Sequence, residues 1–316
     1  MRRQDAIISG NKITTQIWNY GSISEPGNRV TDIIWEGLGY GYEFGPFISA
    51  EVPLVSNKHP DAYPKVIDGD TTWYARVISD GLVTDPERSP DGSEYWTWEP
   101  LAYSDEGLFF ADPDYDKIPT ASDIDRDFDG KPDSWASDWY NPNLKEYVWP
   151  GDLRQGASNA DEEAFFVCDD RNNKEFEYYP FPDDSSRKGL GIQIEYRYYQ
   201  WANPLAEDII FLIYKITNKS PKDLENVIFG MWGDPHIGGP SDWSDDLSYF
   251  DQEINMVYCW DEDGSASGSA NRPGYFGYKF LESPGNPYDQ LDNDSDGMID
   301  ESRSCLLYTS DAADES

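Results

Sequence analysis

The sequence has few basic residues, almost no histidine and no long apolar run. Its 316 residues include 24 lysines and arginines against 61 aspartates and glutamates, which gives a formal net charge of -37, and there are two histidines. Nucleic acids and anionic membranes are bound through basic surfaces, so this charge argues against both as partners. No apolar run reaches the roughly 18 residues that a membrane-spanning helix needs. We therefore expect no nucleic-acid partner and no membrane span.

Motifs that identify common enzymes are absent as well. The sequence contains no nucleophile elbow, no phosphate-binding glycine loop and no HExxH pair. His59 has no evident partner in the neighbouring sequence and is interpreted as a surface residue. No catalytic residue can be assigned, and the sequence favours a non-catalytic role without excluding an enzyme.

Frequent turn residues and a two-residue apolar period predict an all-β protein. The 26 glycines and 22 prolines interrupt the chain too often for long helices. Apolar and polar side chains alternate over residues 190–198, as in a strand with one buried face. Residues 209–216 are apolar on both faces and are predicted to form a central strand, and residues 227–232 form another after a turn. The series predicts an antiparallel, β-sandwich-like fold with long irregular acidic loops.

Two acidic loops share the pattern D-x-D-x-D-G-x-x-D, at residues 125–133 and 292–300. Oxygen ligands at alternate positions can surround one cation, and glycine at the sixth position permits the sharp turn that this requires. Calcium accepts such ligands at irregular angles, whereas zinc prefers cysteine and histidine, which neither loop contains. The predicted Ca2+ ligands are Asp125, Asp127, Asp129 and Asp133 in the first loop, and Asp292, Asp294, Asp296 and Asp300 in the second.

Both loops resemble the first half of an EF-hand loop, or a thrombospondin type-3 repeat. They depart from the EF-hand at the twelfth position, where Ala136 and Arg303 stand instead of a bidentate glutamate. Flanking helices are not predicted either. A structural site with a dissociation constant on the order of 10⁻⁴–10⁻³ M, as in extracellular modules, is therefore favoured over a regulatory sensor. The alternative is a solvated acidic turn that binds no metal.

A third acidic stretch follows the predicted strand at 227–232. It contains Asp234, Asp242, Asp245, Asp246 and Asp251. These residues could form a further cation site, or Asp234 and Asp242 could act as a carboxylate pair in glycoside hydrolysis. A solvated loop between strands is the simpler interpretation, and the sequence favours it.

The aromatic residues leave two interpretations open. The clusters at 95–98 and 196–201 could stack on sugar rings, or they could fill the core of a sandwich, which is the more common role. The first interpretation supports a carbohydrate-active module, for sugar binding or glycoside hydrolysis, as the alternative to a non-catalytic structural protein.

The acidic stretches divide the chain into five predicted parts. These are an N-terminal β-rich region at 1–118, an acidic calcium-loop connection at 119–150, a β-sandwich domain at 151–283, a calcium-loop linker at 284–304, and a tail at 305–316. In the alternative division the acidic stretches are surface loops of a single domain.

The tail resembles a translated sequencing adapter over its residues 305–315, which read CLLYTSDAADE. This resemblance implies that the tail contributes nothing to the fold and that the natural protein continues beyond residue 304. Without the tail, the remaining cysteines are Cys168 and Cys259. The sequence leaves open whether these two are paired or are free thiols.

Five further segments resemble a group of exported proteins. They read GSISEPGN at 21–28, WEGLGY at 35–40, GKPDSW at 130–135, YQWANP at 199–204 and IYKITN at 213–218. They are similar to segments of large, mostly uncharacterised β-rich proteins of the Bacteroidetes–Ignavibacteria–Calditrichaeota kind, which often carry a type IX secretion sorting domain. The resemblance implies an extracellular or cell-surface location, a structural or adhesive role, and polysaccharides or other surface proteins as partners. The first residues contain no apolar signal-peptide core, so a cytosolic acidic domain is the alternative.

Overall fold

The computed structural model describes residues 3–24, 32–81, 88–101, 118–266, 269–279 and 281. The predicted all-β class is confirmed, since these residues form sixteen β-strands in antiparallel, sandwich-like sheets and no α-helix. Two single turns of 3-10 helix occur at Ser137–Trp139 and Trp243–Asp245. The predicted linker at 284–304, with the second acidic loop, and the tail at 305–316 lie outside the described residues.

The largest sheet has seven strands and is organised around one long strand, β4 (Leu38–Leu54). Residues 47–51 of β4 pair with β6 (Asp70–Asp80) along one edge and with β13 (Glu225–Pro235) along the other. Most side chains of β4 are buried. The remaining strands of this sheet are β1 (Asp5–Ile8), β2 (Ile13–Trp18), β3 (Ile33–Trp35) and β5 (Tyr63–Ile67). The β13 pairing brings the N-terminal region and residues 225–235 into one sheet.

The second sheet has four strands in the order β12-β11-β10-β7. These are β7 (Glu99–Pro100), β10 (Glu162–Asp169), β11 (Ile192–Gln200) and β12 (Ile210–Asn218). In β10, side chains are buried on both faces of the strand.

The strand predicted at 209–216 exists as β12, but its predicted central position is wrong. Among the described strands β12 lies at the end of its sheet, and Phe211 and Ile213 are 42% and 41% exposed. The central positions belong to β10 and β11, which bury aromatic side chains. An apolar run on two faces predicts a strand, but it does not determine how many neighbours that strand has.

Aromatic rings fill the core on one face of the four-stranded sheet. Tyr196 stacks on Phe166 with ring centroids 4.4 Å apart, and Trp98 meets Tyr196 edge-on at 6.3 Å. Gly21 packs against this cluster with φ of +113°, and a Cβ at that position would lie 2.6 Å from the Tyr196 hydroxyl. Trp98, Tyr196, Tyr198 and Tyr199 are all buried, which confirms the core interpretation for these residues.

Three further strands form a separate sheet in the order β14 (Asp246–Asp251), β15 (Met256–Asp261) and β16 (Tyr275–Lys279). Two short strands, β8 (Tyr140–Asn141) and β9 (Glu146–Tyr147), pair with each other.

The chain divides into two compact units, one of residues 1–247 and 260–276 and one of residues 248–259 and 277–316. In the smaller unit the rings of Tyr249 and Tyr258 lie 5.8 Å apart. Cys168 and Cys259 are not joined by a disulfide.

Candidate metal centre and neighbouring acidic sites

The first acidic loop is fixed at its C-terminal end to a cluster of aromatic side chains. Trp135 and Trp149 lie 5.4 Å apart in a buried cluster that includes Phe165 of β10. The Trp135 indole donates a hydrogen bond from Nε1 to the carbonyl oxygen of Thr120, at 2.8 Å. Because Phe165 belongs to the four-stranded sheet, the cluster anchors the loop to that sheet.

Within the loop, the backbone curls around the carboxylate of Asp125. This carboxylate accepts hydrogen bonds from the backbone N–H of Asp129 at 3.2 Å and of Gly130 at 2.8 Å. The curl depends on two left-handed residues, Gly130 with φ of 93° and Phe128 with φ of 63°. The sixth-position glycine therefore has the conformation that the motif predicts. A left-handed phenylalanine is uncommon, and here the two N–H groups that follow it both donate to Asp125.

The curl brings three of the four predicted ligands of the first loop together. Asp125, Asp127 and Asp133 each place one carboxylate oxygen within 4.8 Å of the others. Asp129 is not part of this group, and its Oδ1 accepts a hydrogen bond from the N–H of Lys131 at 2.8 Å. Such an arrangement of oxygens suits a hard cation that tolerates irregular geometry.

Arg126 is a basic residue at the edge of the loop. Its Nη1 lies 2.9 Å from Oδ2 of Asp133 and 2.6 Å from Oδ1 of Asp123. Its backbone N–H donates to the other oxygen of Asp133 at 2.9 Å. The guanidinium therefore offsets part of the loop's negative charge, and a cation bound to Asp133 would compete with it.

The four predicted ligands of the second loop, Asp292, Asp294, Asp296 and Asp300, lie outside the described residues.

The third acidic stretch forms a group of carboxylates that differs from the pair of Asp234 and Asp242 considered from the sequence. Asp242 and Asp245 each place a carboxylate oxygen within 4.8 Å of one from Asp261, the last residue of β15. Asp234 lies in β13 opposite Glu43 and belongs to no such group among the described residues. The arrangement therefore does not favour Asp234 and Asp242 as a hydrolytic pair.

Asp246 lies beside this group, at the start of β14. Its Oδ2 accepts a hydrogen bond from the N–H of Ile237 at 2.9 Å. Burial, together with the negative charge of Asp261 and Asp245, raises the pKa of Asp246 to about 6. Asp246 is therefore mainly a carboxyl group withdrawn from solvent, with the charges of Asp261 and Asp245 as lesser influences.

A buried histidine and aspartate lie next to the same loop. Nδ1 of His236 is 3.3 Å from Oδ1 of Asp32, and the imidazole ring lies 4.4 Å from that of Tyr42. Burial raises the pKa of Asp32, and the contact with His236 opposes that shift. A Cβ at Gly39 would lie 2.5 Å from Oδ2 of Asp32, so the close packing requires glycine there. Sequence reasoning missed Asp32 because about two hundred residues separate it from His236 along the chain.

His59 is not the isolated surface residue that the sequence suggested. Its ring lies 4.3 Å from that of Phe176, and its Nε2 is 3.4 Å from a carboxylate oxygen of Glu175. With Asp61 and Glu175 it forms a further group of oxygen and nitrogen atoms that could hold a metal ion. No local sequence pattern predicts this contact, because Glu175 comes from a distant segment.

Among the described residues, no helix has the length and apolarity that crossing a membrane requires. No family model, curated protein or solved structure matches the chain.

Proposed function

We propose that this protein is a non-catalytic structural or adhesive part of an exported surface protein, stabilised by Ca2+ bound in its D-x-D-x-D-G-x-x-D loops. The observation that carries the proposal is the convergence of Asp125, Asp127 and Asp133 within 4.8 Å in a loop anchored on the aromatic cluster. A second copy of the motif at 292–300 supports it, because the same spacing recurs in one chain.

The role proposed for calcium follows from electrostatics. Without a cation, the carboxylates of the first loop repel one another at short range, and Arg126 offsets only part of that repulsion. A bound divalent cation turns the repulsion into attraction and joins the two ends of the loop. The loop is attached to the four-stranded sheet through Trp135 and Phe165, so binding stabilises the fold as well as the loop.

The proposed location agrees with the proposed affinity. Sites without the bidentate twelfth-position glutamate bind calcium weakly, with dissociation constants on the order of 10⁻⁴–10⁻³ M in extracellular modules. Such sites fill outside a cell and stay empty in cytosol. The partners proposed for an exposed protein of this kind are polysaccharides or other surface proteins.

The test is a calorimetric calcium titration of the full chain and of two single variants. Asp127→Ala removes an exposed ligand of the first loop, and we expect it to reduce the number of calcium ions bound per chain by one. Asp138→Ala removes an equally exposed carboxylate in the neighbouring 3-10 turn and should leave the binding isotherm unchanged. Equal calcium binding by the wild type and Asp127→Ala would contradict the proposal.

A further inference from the structure

The group formed by Asp242, Asp245 and Asp261 matches neither copy of the loop motif. Two of its members lie in the segment between β13 and β14, and the third ends β15. Their closest carboxylate oxygens lie within 4.8 Å of one another, which is a separation that one ion can bridge. The group is therefore assembled by tertiary structure rather than by a local sequence pattern.

A separate observation concerns one carboxylate oxygen of Asp261. Asp261 is only 6% exposed, and its buried Oδ2 receives no hydrogen bond. Its Oδ1 accepts hydrogen bonds from the backbone N–H of Gly264 and of Ser265, which fix the carboxylate in place. The neighbouring Asp246 also has a buried oxygen, Oδ1, that receives no hydrogen bond. Buried carboxylate oxygens without donors are costly, and they are normally paired with a donor or a cation.

The described part of the chain does not provide that cation. None of its lysines or arginines forms an ion pair with Asp245, Asp246 or Asp261. His236 interacts electrostatically with Asp246, but its Nδ1 is directed at the buried Asp32. No lysine or arginine of the described residues therefore balances the charges of Asp245, Asp246 and Asp261.

We propose that Asp242, Asp245 and Asp261 bind a divalent cation of the calcium class, with Asp246 as a neighbouring charge. The donor set consists of carboxylate oxygens alone, which suits a hard cation and disfavours zinc. Gly238, with φ of +90°, lets the backbone pass close to the site, since a Cβ there would lie 2.6 Å from Oδ2 of Asp242. The bound ion would tie the segment after β13 to the end of β15.

This site shares no residue with the two motif loops, so it can be tested in a chain in which one ligand of each loop is replaced. The parent for the test is the full chain carrying Asp127→Ala and Asp294→Ala. The probe is Tb3+, a calcium substitute whose luminescence is sensitised by nearby tryptophan. Trp243 and Trp260 are sequence neighbours of the proposed ligands. We expect saturable luminescence in the parent, reversed by excess Ca2+.

Asp245→Asn is the informative variant, because the half-buried Asp245 can lose its charge without loss of a side-chain hydrogen bond within the described residues. It should weaken Tb3+ binding at least tenfold. Glu262→Gln removes the same charge from an exposed position beside Asp261 and should leave the affinity unchanged. Melting curves in chelator establish that both variants fold like the parent, and Asp242→Asn replaces Asp245→Asn if the latter does not.

Two results would overturn the proposal. One is a parent that binds no Tb3+ or Ca2+ once both motif loops are disabled. The other is an equal loss of affinity in Asp245→Asn and Glu262→Gln, which would reduce the effect to general electrostatic attraction. Either result would leave the proposed calcium loops unaffected, because one ligand of each loop is already replaced in the parent.

Discussion

Asp170 is a carboxylate that the fold has removed from solvent. Its Oδ1 accepts hydrogen bonds from the backbone N–H of Gly191 and Ile192, at 3.1 Å and 3.0 Å. Its Oδ2 accepts one from Leu190 at 2.5 Å. Burial raises the pKa of Asp170 to about 7, although these three donors favour the charged form. The side chain fixes the start of β11 against the end of β10, at the cost of burying a carboxyl group.

The raised pKa of Asp170 predicts that the stability contributed by this residue decreases as pH rises. The folded protein keeps the proton on Asp170 up to about pH 7, whereas the unfolded chain loses it near the ordinary value of 3.8. The folded form therefore binds more protons in this window, and the contribution of Asp170 to stability falls as pH rises through it, by at most about 1.4 kcal/mol per pH unit. Asp170→Asn should consequently be less destabilising at pH 8 than at pH 5. Denaturant unfolding at both pH values checks this, with the exposed Asp183→Asn as control. A cost that does not change with pH would contradict it.

Arg197 forms a buried ion pair between adjacent strands. Its Nη1 lies 2.8 Å from Oε1 of Glu163, and the two side chains are 7% and 1% exposed. Nη2 donates to the carbonyl oxygen of Pro150 at 2.7 Å, and the guanidinium lies 4.1 Å from the centre of the Phe165 ring. The arginine thus links β11 to β10 and to the aromatic cluster beneath the first acidic loop.

Replacing Arg197 should lower the free energy of unfolding far more than replacing a lysine in an exposed ion pair. Arg197→Ala leaves Glu163 charged and buried, and breaking such a pair costs about 3–5 kcal/mol. Lys174→Ala breaks an exposed pair with Glu94 that is 2.7 Å long, and the expected cost is about 0–1 kcal/mol. The free energies of unfolding in urea measure both. Similar costs for the two variants would show that the buried pair is not important for stability.

At the scale of secondary structure, β10 and β11 carry the packing that was predicted for β12. Ile194 of β11 is fully buried, whereas Ile213 of β12 is 41% exposed. Sequence patterns identified both strands, because alternation and apolar runs are local properties. Their neighbours depend on long-range pairing, which no local pattern determines.

These two isoleucines provide a direct comparison of the strands. Ile194→Ala should cost about 2–5 kcal/mol, because it leaves a cavity in a closely packed core. Ile213→Ala should cost much less, because water can fill the space that the side chain leaves. Thermal or denaturant unfolding measures both, and a larger cost at Ile213 would contradict the position of β12 at the sheet edge.

Other parts of the fold and site show the same division between local and long-range information. The left-handed Gly130 followed from the spacing of the motif, because the spacing itself requires the turn. The contact of Asp261 with Asp242 could not be predicted from spacing, because β14 and the β14–β15 turn lie between them. A prediction from the sequence that β14 and β15 form a hairpin would have indicated this contact.

At the scale of the whole molecule, the excess of acidic residues sets the conditions for stability. A net charge of -37 opposes the compact state through self-repulsion. In 0.1 M salt, the repulsion between exposed charges more than about 10 Å apart is largely screened. General screening is produced by any dissolved ion and acts on the charges of the whole protein surface. Site-bound calcium acts at a few carboxylates and depends on the identity of the ion. Calcium and magnesium at equal concentration and ionic strength therefore separate the two effects.

The most direct test of the calcium proposal is a set of melting curves of the full chain in millimolar calcium, in magnesium and in chelator. An ion that binds only the folded form adds about 2.7 kcal/mol when its concentration is a hundredfold above the dissociation constant. We predict the highest midpoint in calcium, and a smaller calcium shift when Asp127→Ala and Asp294→Ala are combined. Equal midpoints in all three solutions, or equal calcium shifts in the wild type and the double variant, would show that the two loops are acidic turns that bind no calcium.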